Sequence, residues 1–301
     1  MSTSATHPAQ IGLQDRKERH HESPFWVFLR RFKKNKLAIV GAVIIGLMVI
    51  LGLSAGIVSP HDPLYQDLEH VLESESPTHP MGTDDIGRDI LSRLIWGARI
   101  SLQASIYSVG VALLLGVPIG LLSGYYGGFW DEFVVMRVVD AMQAFPFLIL
   151  ALALAATLGT GFGNAMIAIG IGFTPAFIRI VRAQVLTVRG QEYVQAARAI
   201  GSPDLRILLR HVLPNSMAPL LVQTTLAMAS AILAEAGLSF LGLGVQPPTA
   251  SWGQMLAVSQ GYLTIAPWLA YWPGLAIFLT VLGFNLFGDG VREALDPKLK
   301  T

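Results

Sequence analysis

The chain has 301 residues, of which 52% are hydrophobic and only 14% are charged, and its formal net charge is +1. Soluble domains carry about 25% charged residues, so this composition excludes an ordinary soluble protein. It predicts an all-α integral membrane protein with room for about five to seven spans. The charge balance gives no reason to expect a nucleic-acid partner, and we predict none. The absence of cysteine excludes disulfides, thiolate metal sites and a cysteine nucleophile.

The leader, residues 1–36, is polar and basic, and the first long apolar run begins only at Leu37. That run is longer than the apolar region of a signal peptide, so we interpret it as a retained membrane anchor. Ser23-Pro24 is typical of a helix start, and aromatic residues then mix with Arg and Lys. The pattern predicts a helix on the cytoplasmic membrane surface, held by anionic lipid. The alternative is that this segment continues the first span.

Apolar runs along the rest of the chain predict six transmembrane helices. Their predicted bounds in chain order are 37–58, 100–130, two spans within 138–178, 214–244 and 263–287. The run 138–178 is too long for one helix, and the glycines from Gly159 to Gly163 divide it by a tight turn. Pro267 and Pro273 are expected to interrupt the sixth span near its outer end.

The distribution of Lys and Arg predicts the orientation, because these residues concentrate on the cytoplasmic side of a membrane. Of the 21 in the chain, all but Arg88, Arg93 and Arg99 fall on one side of the six-span arrangement. The loop 59–98 instead holds eight acidic residues and is predicted to be external. Both termini are therefore expected in the cytoplasm. The resulting organisation is the leader, the first span, the external loop, a core of five spans at 99–289 and a cytoplasmic tail at 290–301.

One segment of the external loop has the pattern of a short helix. Thr83 is a suitable N-cap, and the pairs Asp84–Arg88 and Asp89–Arg93 are spaced as ion pairs along a helix. We therefore predict a helix after Thr83.

The most informative non-spanning segment lies between the fourth and fifth spans, at 186–214. Residues 191–200 predict a helix, which Gly201 ends, and Ser202-Pro203-Asp204 starts a second one that Pro214 closes. The small apolar face of the first helix consists of Tyr193, Ala196, Ala197 and Ile200, and that of the second of Leu205, Leu208, Leu209 and Val212. A helix–glycine–helix segment of this kind is suited to docking in a groove. Taken alone, the pattern is also that of an ordinary amphipathic connection.

The residues at 195–197 (Gln-Ala-Ala), then Gly201 and the Leu-Pro pair at 213–214 resemble the EAA loop of bacterial ABC importer permeases. Gln195 departs from the family's usual Glu and His211 from its usual Ile, while Glu192 keeps an acid nearby. The resemblance implies the type I ABC importer permease fold and makes 186–214 the coupling loop, which sits in a cleft of the ATPase subunit. The residues that it assigns to ATPase coupling are Glu192, Tyr193, Gln195, Ala196, Ala197, Arg198, Gly201 and Pro214.

Two further segments narrow the resemblance to the dipeptide, oligopeptide and nickel permeases, and within them to the second, C-type permease of dipeptide systems. They are HPMGTDDIGRD at 79–89 and EAGLSFLGLGVQPP at 235–248. The resemblance implies a heterodimer with a homologous second permease, two ATP-binding cassette ATPase subunits and an external solute-binding protein. ATP and Mg²⁺ are expected on the ATPase subunits, and no cofactor on this chain.

The function that the resemblance implies is solute import across the bacterial cytoplasmic (inner) membrane by alternating access. The expected solutes are di- or oligopeptides, or related small solutes such as glutathione or nickel chelates. A permease for a non-peptide solute is one alternative. A passive channel is another, although a channel has no need of an ATPase-docking segment.

A membrane-embedded enzyme is the remaining class. The sequence has no H-E-x-x-H, G-x-S-x-G or phosphate-binding-loop motif, and its seven histidines are scattered. We therefore predict no catalytic residue and no metal site.

Asp140 and Glu235 are the acidic residues within predicted spans, and both are candidates for the translocation path. A charge at the bilayer centre costs about 2.5–3.5 kcal/mol, so such residues usually face the bundle interior. For Glu235, a hydrogen bond to a neighbouring helix is an equally good explanation. For Asp140, which is close to Arg137 near a cytoplasmic end, solvation at the interface is the favoured interpretation.

Overall fold

The computed structural model describes residues 24–295, and all regular structure in that range is helical apart from one isolated bridge between Thr83 and Asp89. The helices are α1 (Pro24–Phe32), α2 (Lys36–Leu53), α3 (Ala55–Val58), α4 (Ile90–Tyr126), α5 (Met136–Gln143), α6 (Phe147–Leu158), α7 (Phe162–Arg189), α8 (Glu192–Ala199), α9 (Asp204–Ile207), α10 (Leu213–Asn215), α11 (Met217–Phe240), α12 (Trp252–Ser259) and α13 (Trp268–Leu295). Two π-helical segments, Trp130–Val135 and Leu208–Val212, precede α5 and α10.

Within the described residues, five helices are long and apolar enough to cross a membrane: α2, α4, α7, α11 and α13. A sixth span exists if the bent pair Trp130–Gln143 and Phe147–Leu158 crosses as one unit. The all-helical membrane fold predicted from the sequence is therefore confirmed. The count of six and the orientation of the termini stay predictions.

The first two helices are separate elements. Asn35 caps α2 through its side chain, and its amide donates a hydrogen bond to Glu293 near the end of α13, at 2.5 Å. Phe32 of α1 packs edge-on against Phe287 of α13, with ring centroids 5.4 Å apart. A distinct leader helix is thus present, and the alternative of one continuous span is wrong. The predicted cap at Ser23 lies outside the described residues.

The second span begins at Ile90 rather than near Ile100. It is 37 residues long, which corresponds to about 55 Å. Asp89 caps it by accepting hydrogen bonds from the N–H and the hydroxyl of Ser92, at 2.8 and 2.6 Å. Because Asp89 is engaged as the cap, Arg93 instead approaches Asp84, at 3.6 Å.

The helix predicted after Thr83 is wrong. Residues 83–88 form turns closed by the side chain of Asp84, which accepts hydrogen bonds from the N–H groups of Ile86 and Arg88. The expected Asp84–Arg88 ion pair does form, at 2.6 Å, but across a turn.

The third predicted span is broken at 144–146, where its two halves meet at 98°. Pro146 is the N-cap of α6 and has no N–H to continue a helix from the preceding turn. With 12 residues, α6 is about 18 Å long, short of the roughly 30 Å hydrocarbon core. The predicted turn after it is confirmed, since Gly159 and Gly161 have φ of +91° and +129°.

The remaining spans differ from prediction mainly at their ends. α13 begins directly after Pro267 and continues through Pro273, so only the first of the two prolines limits it. α11 occupies Met217–Phe240, inside the predicted 214–244. α2 stops at Leu53, and the short α3 follows.

The closest helix packing joins α4 to α7 along a glycine stripe. Gly116, Gly120 and Gly124 lie four residues apart on one face of α4, opposite Phe177, Val181 and Val185 on α7. A Cβ added at these glycines would lie 2.6–2.8 Å from the Cβ atoms of those three residues. Between membrane helices no hydrophobic force drives association, so small residues that allow close backbone approach supply the contact.

We expect Gly120→Leu to destabilise this contact strongly, because the new side chain must displace Val181 and the α7 backbone. Overpacking of this kind typically costs about 1–3 kcal/mol. Gly110→Leu is the matched control on the same helix, since nothing lies within 4 Å of a Cβ there. The thermal midpoint of the purified protein in detergent should fall for Gly120→Leu and not for Gly110→Leu. Equal midpoints for the two variants would contradict the packing analysis.

Candidate functional site: the coupling loop and its anchor

The segment 186–214, which the resemblance makes a coupling loop, folds as two short helices around Gly201. Gln191 is the N-cap of α8, and Glu192 lies in its first turn. At its end, the N–H of Ser202 donates to the carbonyl of Ala197 (3.1 Å) and the N–H of Gly201 to that of Arg198 (3.0 Å). This is the Schellman arrangement, which places glycine in the left-handed region, and Gly201 has φ +82°. The helix–glycine–helix prediction is confirmed.

The second half of the loop is more continuous than predicted. α9 is followed directly by the π-helical segment Leu208–Val212 and by α10, which contains Pro214. Pro214 therefore does not close the helix, because the N–H of Ser216 still bonds back to Val212 (3.1 Å).

The face of α8 that packs inward differs from the predicted one. Val194 and Ala197 are buried in the same hydrophobic cluster as Ile207 and Val212. Ala197, predicted on the docking face, is thus part of this chain's own core. The exposed residues around it are Glu192, Tyr193, Gln195, Ala196 and Arg198 on α8, and Ile200 directly after the helix.

Large apolar side chains remain exposed on the loop. Ile200 is 84% exposed, Leu205 67% and Leu209 54%. Of the apolar face predicted for the second helix, Leu208 and Val212 are buried, whereas Leu205 and Leu209 are exposed. Ile207, which was not predicted on that face, is buried as well. Because the segment is not itself a span, an apolar surface of this kind marks a contact with another protein or with the membrane.

Tyr125 at the C-terminal end of α4 anchors the loop. Its hydroxyl donates to Asp204 at 2.6 Å, and the guanidinium of Arg198 lies over its ring, 5.3 Å from the centroid. The contact with Tyr125 is the largest cause that raises the pKa of Arg198, which keeps its charge. Arg189, the last residue of α7, donates to the carbonyls of Gly124 and Tyr125 at 2.9 and 3.1 Å. These contacts tie α7, α8 and α9 to a single turn of α4.

Sequence reasoning missed Tyr125 and Arg189 as parts of this site. Tyr125 lies near the end of the predicted second span and Arg189 lies in the basic segment 186–214, where aromatic and basic residues are ordinary, so no local pattern singled them out. Asp204 was recognised only as an acid in a first helical turn.

Glu235 lies in the packed interior of the subunit. Ser239 and Ser251 donate to its Oε1 at 2.7 and 3.0 Å, and the hydroxyl of Ser101 lies 3.5 Å from Oε2. The carboxyl and these three serines are all buried. In the described residues, the hydrogen bonds of Glu235 therefore join α11 to α4 and to the loop before α12. This is the interhelical hydrogen bonding that the sequence offered as the alternative to a place in the translocation path.

Asp140 is half-exposed and pairs with Arg179 of α7 at 2.7 Å, rather than with Arg137. A second acid, Asp131, is buried and receives two hydrogen bonds from Arg182 of α7, at 2.7 and 2.5 Å. The two ion pairs hold the bent segment 130–143 against α7. Asp131 was not singled out from the sequence, because it follows directly on a predicted span.

Comparisons with known proteins agree with this architecture. Residues 116–301 match the family described as the binding-protein-dependent transport system inner membrane component. Residues 23–77 match the N-terminal TM domain of oligopeptide transport permease C.

Two similar relatives are permeases. The dipeptide transport system permease protein DppC of Alkalihalophilus pseudofirmus is 45% identical over 279 residues, 93% of this chain and 91% of that protein. The glutathione transport system permease protein GsiD of Escherichia coli O157:H7 is 44% identical over 279 residues, 92% of each chain.

A solved structure shares the fold. The MetNI methionine ABC transporter, in an inward-facing conformation, matches 69% of this chain and 98% of its own chain with a TM-score of 0.56 and 20% identity. The chain therefore belongs to the binding-protein-dependent transport system inner membrane component family, and it is a transport subunit, the membrane-spanning permease of an ABC transporter.

Proposed function

We propose that this permease imports di- or oligopeptides, or related small solutes such as glutathione or nickel chelates, across the bacterial inner membrane. The names of the two relatives, dipeptide and glutathione permeases, support a peptide-like solute. The chain works as a heterodimer with a homologous second permease and receives solute from an external binding protein. Two ATPase subunits, which hold ATP and Mg²⁺, dock on its cytoplasmic side.

The exposed apolar surface of the coupling loop is the observation that carries this proposal. Ile200, Leu205 and Leu209 project from a segment that the Tyr125 contacts tie to α4. An ATPase subunit that binds this surface moves α4 and α7 together when the ATPase closes around ATP. Such rigid-body switching of packed helices is the general route to alternating access. A passive channel has no use for the surface.

The topology that we propose has six spans, with both termini in the cytoplasm. The bent pair then crosses the membrane as one broken span, which places the Gly159–Gly161 turn outside. If the pair were a re-entrant loop, that turn would lie in the cytoplasm.

Replacing Ile200 by Glu should separate ATPase docking from folding. The side chain is 84% exposed, so the subunit itself loses little packing. Burying such a side chain at an interface contributes about 1.5–3 kcal/mol, which corresponds to roughly a tenfold to hundredfold change in affinity. We expect ATPase copurification and uptake of labelled dipeptide to fall at least about tenfold, at unchanged membrane abundance.

Leu68→Glu, the same type of change at an exposed leucine of the loop 59–89, is the control and should leave ATPase copurification unchanged. An Ile200→Glu permease that retains its ATPase and transports at the wild-type rate would refute the docking assignment. Loss of uptake with full ATPase retention would point to a different role for the loop.

Single cysteines test the topology directly, because the chain has none of its own. In intact cells, a membrane-impermeant maleimide should label Ser74→Cys and Thr160→Cys but not Lys34→Cys. All three replaced residues are exposed, and permeabilisation should make Lys34→Cys reactive. If Thr160→Cys is protected as Lys34→Cys is, the bent pair is re-entrant and the six-span proposal fails.

Glu235→Leu should destabilise the subunit, because it leaves buried serine hydroxyls without an acceptor. The expected cost is about 1–3 kcal/mol, whereas Glu235→Gln retains an acceptor and should cost less. Thermal midpoints in detergent, measured together with peptide uptake, distinguish a structural role of Glu235 from a role in the solute path. A Leu variant with the wild-type midpoint and no transport would show that Glu235 serves the solute path instead.

A further inference from the structure

The loop between α3 and α4 brings together His61, His79 and Asp89, which are well separated in sequence. One ligand atom from each lies within 4.8 Å of the others. Nδ1 of His79 is 3.0 Å from Oδ1 of Asp89, and Nδ1 of His61 is 3.7 Å from Oδ2. Zinc binds such atoms at about 2.0–2.2 Å, so neighbouring donors in a tetrahedral site are roughly 3.3 Å apart. The two measured separations, which end on different oxygens of Asp89, lie on either side of that value.

The three side chains are held in place by neighbouring groups. The hydroxyl of Ser92 donates to Oδ2 of Asp89 (2.6 Å) and accepts the backbone N–H of His61 (3.0 Å). Oδ2 also accepts the N–H of Ser92, which leaves Oδ1 directed at His79. Outer hydrogen bonds of this kind orient ligands in metal sites.

A hydrogen bond accounts for the close approach of His79 to Asp89. No hydrogen bond accounts for the position of His61. Nδ1 of His61 is buried and has no hydrogen-bond partner among the described residues. The 3.7 Å to Asp89 is too long for a hydrogen bond. A buried polar atom without a partner carries a free-energy cost, which a bound cation between the three groups would remove.

The surroundings of His61 also provide access. Its side chain is 38% exposed and lines a cavity of about 830 Å³, together with Asp62, Trp96, Arg99 and Gln103. An ion and a water molecule can reach the site from this cavity.

We propose that His61, His79 and Asp89 bind a divalent transition-metal ion of the zinc type, with water as the fourth ligand. Two imidazole nitrogens and one carboxylate, with one open position, suit zinc and its neighbours, whereas Ca²⁺ and Mg²⁺ prefer oxygen ligands. The sequence led us to expect no metal site because its histidines are scattered, and only the fold brings two of them to the cap of α4. The ion clamps both ends of the loop 61–89 to the start of α4.

The test uses the full-length chain in its assembled transporter, purified through a tag without histidine and stripped with chelator. His20→Gln and His21→Gln are introduced throughout, so that the histidine pair of the leader does not contribute. Co²⁺ titration should give visible d–d absorption that saturates at one ion per chain and is removed by Zn²⁺. Zn²⁺ should raise the thermal midpoint, and chelator should reverse the rise.

Two variants remove one ligand each with little other change. His61→Phe keeps a ring against His79, whose centroid is 4.8 Å away, and Asp89→Asn keeps an oxygen to cap α4. Each should weaken Zn²⁺ binding at least about tenfold and abolish the Co²⁺ absorption. His70→Gln is the control, since His70 is paired with Asp67 at 2.9 Å, and should bind as the wild type does.

Three results would overturn the proposal. They are equal Zn²⁺ affinity in His61→Phe and the wild type, equal loss in His70→Gln and His61→Phe, and no Zn²⁺-dependent rise of the wild-type midpoint. The last needs no variant, so misfolding of a variant does not leave the proposal undecided.

Discussion

Close packing of α4 against α7 is the constraint on which the rest of this structure depends. In a bilayer the lipid tails are as apolar as the helix surfaces, so association rests on how closely two backbones approach. Gly116, Gly120 and Gly124 allow that approach along the C-terminal half of α4. The ion pairs of Asp131 and Asp140 then attach the bent segment 130–143 to α7. The two helices and this segment form one packed unit.

Along its length, α4 carries three polar clusters that define what the unit does. Asp89 caps its N-terminal end and lies beside His61 and His79 of the preceding loop. Ser101 lies beside Glu235 of α11 in the interior. Tyr125 at its C-terminal end holds the segment 186–214. A single helix, α4, therefore links the loop before it, the carboxyl of Glu235 and the segment 186–214. In the mechanism that we propose, this continuity carries movement of the segment 186–214 along α4.

Much of the fold could be predicted, since long apolar runs and turn glycines are local signals. The errors arose where a local pattern had two outcomes. Thr83 and Asp89 are both adequate helix caps, and the helix starts at Asp89 because Ser92 supplies its partners. The apolar run after residue 138 gave no sign of the break at Pro146. A proline at this position is compatible either with a kinked helix or with the start of a new one, and here a new helix starts. On α8, Val194 and Ala197 are buried because they pack into the hydrophobic cluster of the chain. The periodicity of the segment did not predict this face.

The sequence by itself determined that this chain is a membrane protein with a helix–glycine–helix segment between its long apolar runs. Apolar runs and a glycine at a helix end are local signals, which act within a few residues of one another. Only the tertiary structure decided which side chains meet across helices: Glu235 with Ser101, Tyr125 with Asp204, and His61 with His79 and Asp89. These pairs are separated by 18 to 134 residues. Their distances follow from helix packing and loop path, because hydrogen bonds and metal coordination act over a few ångströms that no sequence spacing specifies.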